Sequence, residues 1–232
     1  MSDKQIWDYL MKKIGNAYGV AGLMGNLYVE SHLNPVALQS SCARKLNMTS
    51  EEYTQKVDDG SYQNFVKDSA GYGLAQWSYW SRKEALYKFS KEQNKSIGSL
   101  ELQLDYLWQE LLSYKTVLNT LKSADSVRQA SDIVVERYEK PKNQSETFKQ
   151  TRAEFGQKFF NAYANGKPEG KQVVTTCDKV NIRTGNGKNY SKAGQTSKGS
   201  SFPWVATADN NWHAIVYKDQ VAWISGEFCK IE

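Results

Sequence analysis

Two segments gather the side chains that could do chemistry: GNLYVESHLNP, residues 25–35, and SAGYGLAQWSYWSR, residues 69–82. On a helical projection Val20, Leu23, Met24, Leu27 and Tyr28 form an apolar face, and Glu30 falls at its border. Pro35 disfavours helical geometry at Asn34, so the helix should end near His32 or Leu33 with Glu30 in its last turn. The negative end of the helix dipole and partial burial both penalise a carboxylate there, which predicts a raised pKa and no cationic neighbour. A carboxylic acid that keeps its proton near neutral pH can protonate the leaving oxygen of a glycosidic bond. Position alone leaves open an ordinary surface glutamate at a helix end.

The second segment is too glycine-rich for a stable helix and too aromatic for a plain solvent loop. Aromatic faces stack on sugar rings, amides bond sugar hydroxyl and acetamido groups, and Gly71 and Gly73 would let the backbone approach a ligand. A core-packing turn is the alternative. A second carboxylate is needed for hydrolysis by either common route. Asp68, immediately before the loop, is the first choice and Asp105 the second, although a surface or capping aspartate fits Asp68 as well. If neither faces the cleft, a single acid assisted by the sugar's own acetamido group remains, with anhydro sugars as products.

These side chains must be held by a mostly helical frame. Leu104, Leu107, Trp108 and Leu111 repeat at the spacing of one helix face, as do Phe148, Phe155, Phe159 and Ala162. Further helices are predicted near Ile6–Ile14, Val20–Ser31, Glu84–Gln93 and Val127–Tyr138, and TSEE places Thr49 and Glu52 at capping-box spacing. The texture changes at NGKPEGKQ, residues 165–172, which reads as a linker. Beyond it VNIR, WHAIVY and VAWI alternate with turn-rich TGNGKN, ADNN and KDQ, the pattern of a small antiparallel barrel.

Composition narrows the classes. With 40% hydrophobic and 24% charged residues the 232-residue chain is globular, and its net charge of +5 is scattered, which argues against nucleic acid. No apolar run is long enough to span a bilayer, and MSDKQIWDYLMKKIG lacks the apolar core and cleavage site of a signal peptide. Cys42, Cys177 and Cys229 form no metal-binding pattern, and the only histidines, His32 and His213, fall in different regions, so neither a thiol nor a zinc mechanism is supported. No metal or cofactor is required. If the first and last strands pair, Cys177 and Cys229 could form a disulfide; two buried thiols are the other outcome.

The paired motifs GNLYVESHLNP and GYGLAQWSYWSR resemble the lysozyme-like phage endolysin and tail-lysin family, which is related through its ES-x-x-NP and GYGLxQ motifs to goose-type lysozymes and lytic transglycosylases. VNIRTGNGKNY and VAWIS resemble bacterial SH3 (SH3b) wall-binding modules. The resemblance implies an α-rich lysozyme-like (α+β) catalytic domain over 1–164, a linker over 165–172 and an all-β SH3-like barrel over 173–232. It makes Glu30 the catalytic acid, and Tyr72, Gln76 and Trp77 the lining of the glycan cleft. Tyr190 and Trp204, which sit beside turns, are the expected wall contacts. The expectation is then a monomeric peptidoglycan hydrolase made in the host cytoplasm and acting on the wall. A lytic transglycosylase, a bacterial autolysin and a wall-binding protein without turnover remain alternatives.

Overall fold

The computed structural model describes residues 3–164, 172–218 and 220–232. They fall into two compact units, divided between Ala164 and Asn165. Residues 165–171, most of the expected linker, lie outside the described residues.

The first unit contains helices α1 (Asp3–Ile14), α2 (Ala17–Ser31), α3 (Ser40–Leu46), α4 (Ser50–Asp58), α5 (Trp80–Glu92), α6 (Leu100–Ser113), α7 (Lys115–Ser123), α8 (Val127–Val134) and α9 (Glu146–Phe159). Alpha8 continues into one π-helical turn, Val135–Glu139, and α9 into another, Phe160–Ala164. The capping box at α4 is formed in both directions: Glu52 N–H donates to Thr49 Oγ1 at 3.1 Å, and Thr49 N–H donates to Glu52 Oε2 at 2.8 Å.

Alpha2 is the central helix, and its surroundings differ from the one-sided face read from the sequence. Every residue from Gly19 to Leu27 is buried. Gly19, Gly22 and Gly25, three residues apart, make this packing feasible, because a side chain there would strike a neighbouring helix. A Cβ on Gly22 would lie 2.5 Å from the Ala130 methyl of α8, and one on Gly25 would lie 2.3 Å from the Arg152 carbonyl of α9. Removing those three side chains brings α7, α8 and α9 against the α2 backbone, while Leu23, Met24 and Leu27 fill the core at about 2 kcal/mol each. The helix ends at His32, whose left-handed backbone (φ 53°) returns its N–H to the Tyr28 carbonyl at 2.7 Å.

In the second unit seven strands, β1 (Gln172–Thr175), β2 (Val180–Arg183), β3 (Lys192–Thr196), β4 (Ser201–Thr207), β5 (Trp212–Tyr217), β6 (Gln220–Ser225) and β7 (Cys229–Ile231), form one antiparallel sheet. Their order is β3-β2-β6-β5-β4-β1-β7. The sheet keeps β3 and β7 as edges, so among the described residues it is not the closed barrel expected from the sequence. Val173, Val180, Ile182, Ile215, Ala222 and Ile224 form its core, from β1, β2, β5 and β6, with Val180 and Ile182, and Ala222 and Ile224, at alternate positions of β2 and β6. Beta1 and β7 do pair, with Thr175 opposite Cys229, yet the cysteines are free thiols and Cys229 Sγ donates to the Ser225 carbonyl at 3.1 Å.

Candidate active site

Alpha2 carries Glu30 to its final turn with the side chain 26% exposed. The next residue fixes what stands beside it: Ser31 Oγ, buried, donates to the Leu74 carbonyl at 2.8 Å. The two reactive segments are therefore joined at the end of α2. The loop is anchored elsewhere too. Gln103 Oε1 accepts from Leu74 N–H at 2.9 Å while its amide donates to the Pro35 and Ile97 carbonyls, both at 2.6 Å.

The expectation that Glu30 has no cationic neighbour is overturned. Arg152, on α9, donates from Nη2 to Glu30 Oε1 at 2.5 Å, and its own side chain is 5% exposed. The guanidinium also lies over the Phe148 ring at 3.7 Å. On its other flank Arg152 Nε stands 3.4 Å from Glu139 Oε2, an ion-pair distance without hydrogen-bond geometry. Two carboxyl groups thus share one buried guanidinium.

Glu139 is the functional candidate that the sequence reading missed. Ionised, it has no hydrogen-bond donor on either oxygen; protonated, it can donate to Glu30. Burial, and after it the charge of Glu30, pushes the Glu139 carboxyl up to about 8, with Arg152 opposing. Burial thus favours the neutral form of Glu139 beside the Glu30–Arg152 pair. Tyr138 and Glu139 both lie on the π turn and serve different neighbours. Tyr138 OH donates to Glu110 Oε2 at 2.7 Å, and Glu139 turns to Arg152. Both signals were present in the sequence: Glu139 precedes Lys140-Pro141 at a helix end, as Glu30 precedes a proline, and Arg152 interrupts the apolar stripe of Phe148, Phe155 and Phe159.

Asp68 is not beside Glu30. Its carboxylate accepts from Lys83 Nζ at 2.5 Å, Tyr53 OH at 2.6 Å, Tyr62 OH at 3.1 Å and Ala70 N–H at 2.9 Å. With Lys83 fully buried, this pair braces the start of the loop. Asp105 is engaged by Tyr9 OH at 2.6 Å.

The loop aromatics are also rearranged relative to expectation. Tyr72 and Trp77 are 0% exposed, so neither presents a ring face to solvent. Tyr72 OH is hydrogen-bonded with Thr54 Oγ1 at 2.6 Å, and Trp77 donates to Glu110 Oε2 at 2.7 Å, on the carboxylate that also holds Arg82 and Tyr138. Gln76, half-buried with φ 47°, donates to the Ala37 and Gly73 carbonyls. The space beside Gly73 is filled by the Gln103 amide and that beside Gly71 by Gln76, so both glycines make room for the protein itself. The segment's open aromatics are its last two, Tyr79 at 62% and Trp80 at 55% exposure. In the second unit Tyr190 is exposed and caps Gly185, whereas Trp204 is half-buried against the sheet core.

A helical unit in which a central helix delivers a half-buried glutamate to a glycine- and aromatic-rich loop defines the lysozyme-like class. Residues 2–163 match the phage tail lysozyme family, and the chain belongs to it. Among curated proteins it is similar to "Morphogenesis protein 1" of Bacillus phage B103, 23% identical over 216 residues that cover 88% of this chain. The chain spans 52% of that protein's length.

Proposed function

We propose that the first unit cleaves β-1,4 glycosidic bonds in the glycan strands of bacterial peptidoglycan, with Glu30 as the general acid. The observation that carries this reading is the shared site of Glu30, Glu139 and Arg152. Glu30 is ion-paired to Arg152, and the buried Glu139 carboxyl, whose pKa is raised, stands on the other flank of the same guanidinium as a proton reserve. Glu139 first passes its proton to Glu30, becoming a carboxylate beside Arg152, and Glu30, the more exposed of the two, then delivers that proton to the leaving sugar oxygen. Membership of the phage tail lysozyme family supports peptidoglycan as the substrate. Tyr79 and Trp80 offer the faces on which a glycan could stack.

One observation favours a second reading, lytic transglycosylation. Hydrolysis with inversion needs carboxyls about 6.5–9.5 Å apart to hold a water, and retention needs about 5 Å for a nucleophile. Glu30 and Glu139 are both held by Arg152, at 2.5 and 3.4 Å, an arrangement that leaves neither carboxylate placed as a separate base or nucleophile. The sugar acetamido group would then assist, giving anhydro products. Mass spectrometry of fragments released from purified peptidoglycan separates the outcomes: anhydro-muramic ends support transglycosylation, reducing ends on muramic acid or glucosamine support hydrolysis, and free peptides without glycan cleavage refute both.

We propose further that the second unit, an open antiparallel sheet whose sequence resembles SH3b modules, grips the wall. It would hold the catalytic unit at high local concentration on its substrate.

A further inference from the structure

The second unit holds a cavity of about 290 Å³ that the sequence reading did not identify. Its apolar walls come from Val180, Trp212 and Phe228, and three cations, Lys179, Arg183 and Lys188, converge on it. None of the three has a carboxylate within ion-pair distance among the described residues. Arg183 spends one donor, Nη1, on the Tyr190 carbonyl at 2.7 Å. The single acid at the rim, Asp178, accepts from the Lys198 backbone N–H at 2.9 Å. The cavity therefore combines an apolar wall with an excess of positive charge, three cations against one carboxylate.

We propose that this pocket binds the carboxylate end of a short peptide, of the kind uncrosslinked wall peptides present. The inference rests on the reading that the second unit grips the wall. The pocket's size accommodates only the last residues of a chain, at the small end of ligand sites. Small aliphatic side chains fit against Trp212, Val180 and Phe228, while the terminal carboxylate meets the cations, with the arginine fork able to bind it through two N–H groups. A polyanionic glycerol phosphate polymer would need a stripe of cations along an open surface instead, not a pocket with apolar walls.

Calorimetric titration of the full chain with Nα-acetyl-Lys-D-Ala-D-Ala, its C-terminal amide and glycerol phosphate tests the proposal. Binding of the free acid, with the amide at least about tenfold weaker, is expected, because the amide forfeits the charge-assisted bonds. Lys188→Glu should weaken the free acid by at least about tenfold without changing the melting temperature, and Arg183→Lys should weaken it while retaining charge. Equal binding of acid and amide, preference for glycerol phosphate, or unchanged affinity in folded Lys188→Glu would overturn it. Sedimentation with purified walls separates the premises: a parent chain that does not sediment refutes wall binding itself, whereas one that sediments without affinity for the peptide refutes only the pocket.

Discussion

Arg152 donates to Glu30 at 2.5 Å from a side chain that is nearly inaccessible to water. That contact makes the arginine's removal pH-dependent. Without the guanidinium, Glu30 and Glu139 face each other, and at alkaline pH two charges would be left in one poorly solvated place. Losing one partner of a buried ion pair costs about 3–5 kcal/mol. Arg152→Met should approach that loss near pH 9 and show much less of it near pH 5, where Glu139 is neutral. Chemical denaturation at the two pH values measures this, and a loss independent of pH would contradict the shared site.

Replacement of Glu30 by glutamine removes the proposed proton donor while keeping the shape of the side chain. Turnover on purified peptidoglycan should fall by roughly 10² to 10⁴, the usual contribution of a positioned acid. Sedimentation with walls should persist, since the second unit is untouched. Full activity in the folded variant would dismiss Glu30 from the chemistry.

The raised Glu139 carboxyl links folding to pH in a direction opposite to ordinary surface acids. Its folded pKa of about 8 lies above the value of 4.5 for a free glutamate, so its neutral form favours the folded state. That contribution is complete below about pH 4.5 and is lost as pH rises through 8, a decline on the order of a few kcal/mol. Glu139→Gln, neutral throughout, should remove this part of the slope and make the protein more stable than the parent at pH 9. If Glu139 feeds the proton to Glu30, the same variant should also lower kcat and move the alkaline limb of the kcat profile, with KM little changed. Identical stability profiles for variant and parent would rule out a buried neutral acid.

The helices and the site were legible in the sequence to different degrees. Periodicity of Leu104, Leu107 and Leu111, the cap at Thr49 and the proline after Glu30 are local signals, and the helices they mark are present. Alpha2 was misread because apolar periodicity detects one buried face; at Gly19, Gly22 and Gly25 the burial comes from missing side chains, which score as neutral. Tyr72 and Trp77 looked like ligand platforms because composition cannot say which way a ring turns. Here hydroxyl and indole donors find Thr54 and Glu110 inside the protein. Glu139 and Arg152 lie 109 and 122 residues beyond Glu30, and only tertiary packing shows that they meet it.

Asp68 illustrates the reverse case, a carboxylate whose position beside the loop suggested chemistry. Its hydrogen bonds go to Lys83, Tyr53, Tyr62 and the Ala70 N–H, and Lys83, lowered in pKa by burial, is paired with it. Asp68→Asn should destabilise the first unit by about 3–5 kcal/mol, because it strands a buried ammonium. At a temperature where the variant is still folded, kcat per folded molecule should stay near that of the parent. A loss of turnover of 10²-fold or more in fully folded protein, the scale expected of a positioned base, would return Asp68 to the chemistry.

Gly25 offers a test of how the site is positioned from a distance. It carries no reactive group, yet its missing side chain lets the α9 backbone approach α2 at the level of Arg152, with Gly156 supplying the matching gap. Gly25→Ala puts a methyl group 2.3 Å from the Arg152 carbonyl, and neither backbone can yield without separating the helices. Overpacking of this kind costs about 1–3 kcal/mol, of which alanine's better helix propensity returns about 1 kcal/mol; backbone on backbone at this distance puts the cost at the upper end, so a net loss is expected. Separation of α9 from α2 also draws the guanidinium away from Glu30, so activity should fall further than the unfolded fraction explains. Denaturation and activity measured on the same sample distinguish the two effects: stability at or above that of the parent would show that the glycine seam does not hold Arg152 in place.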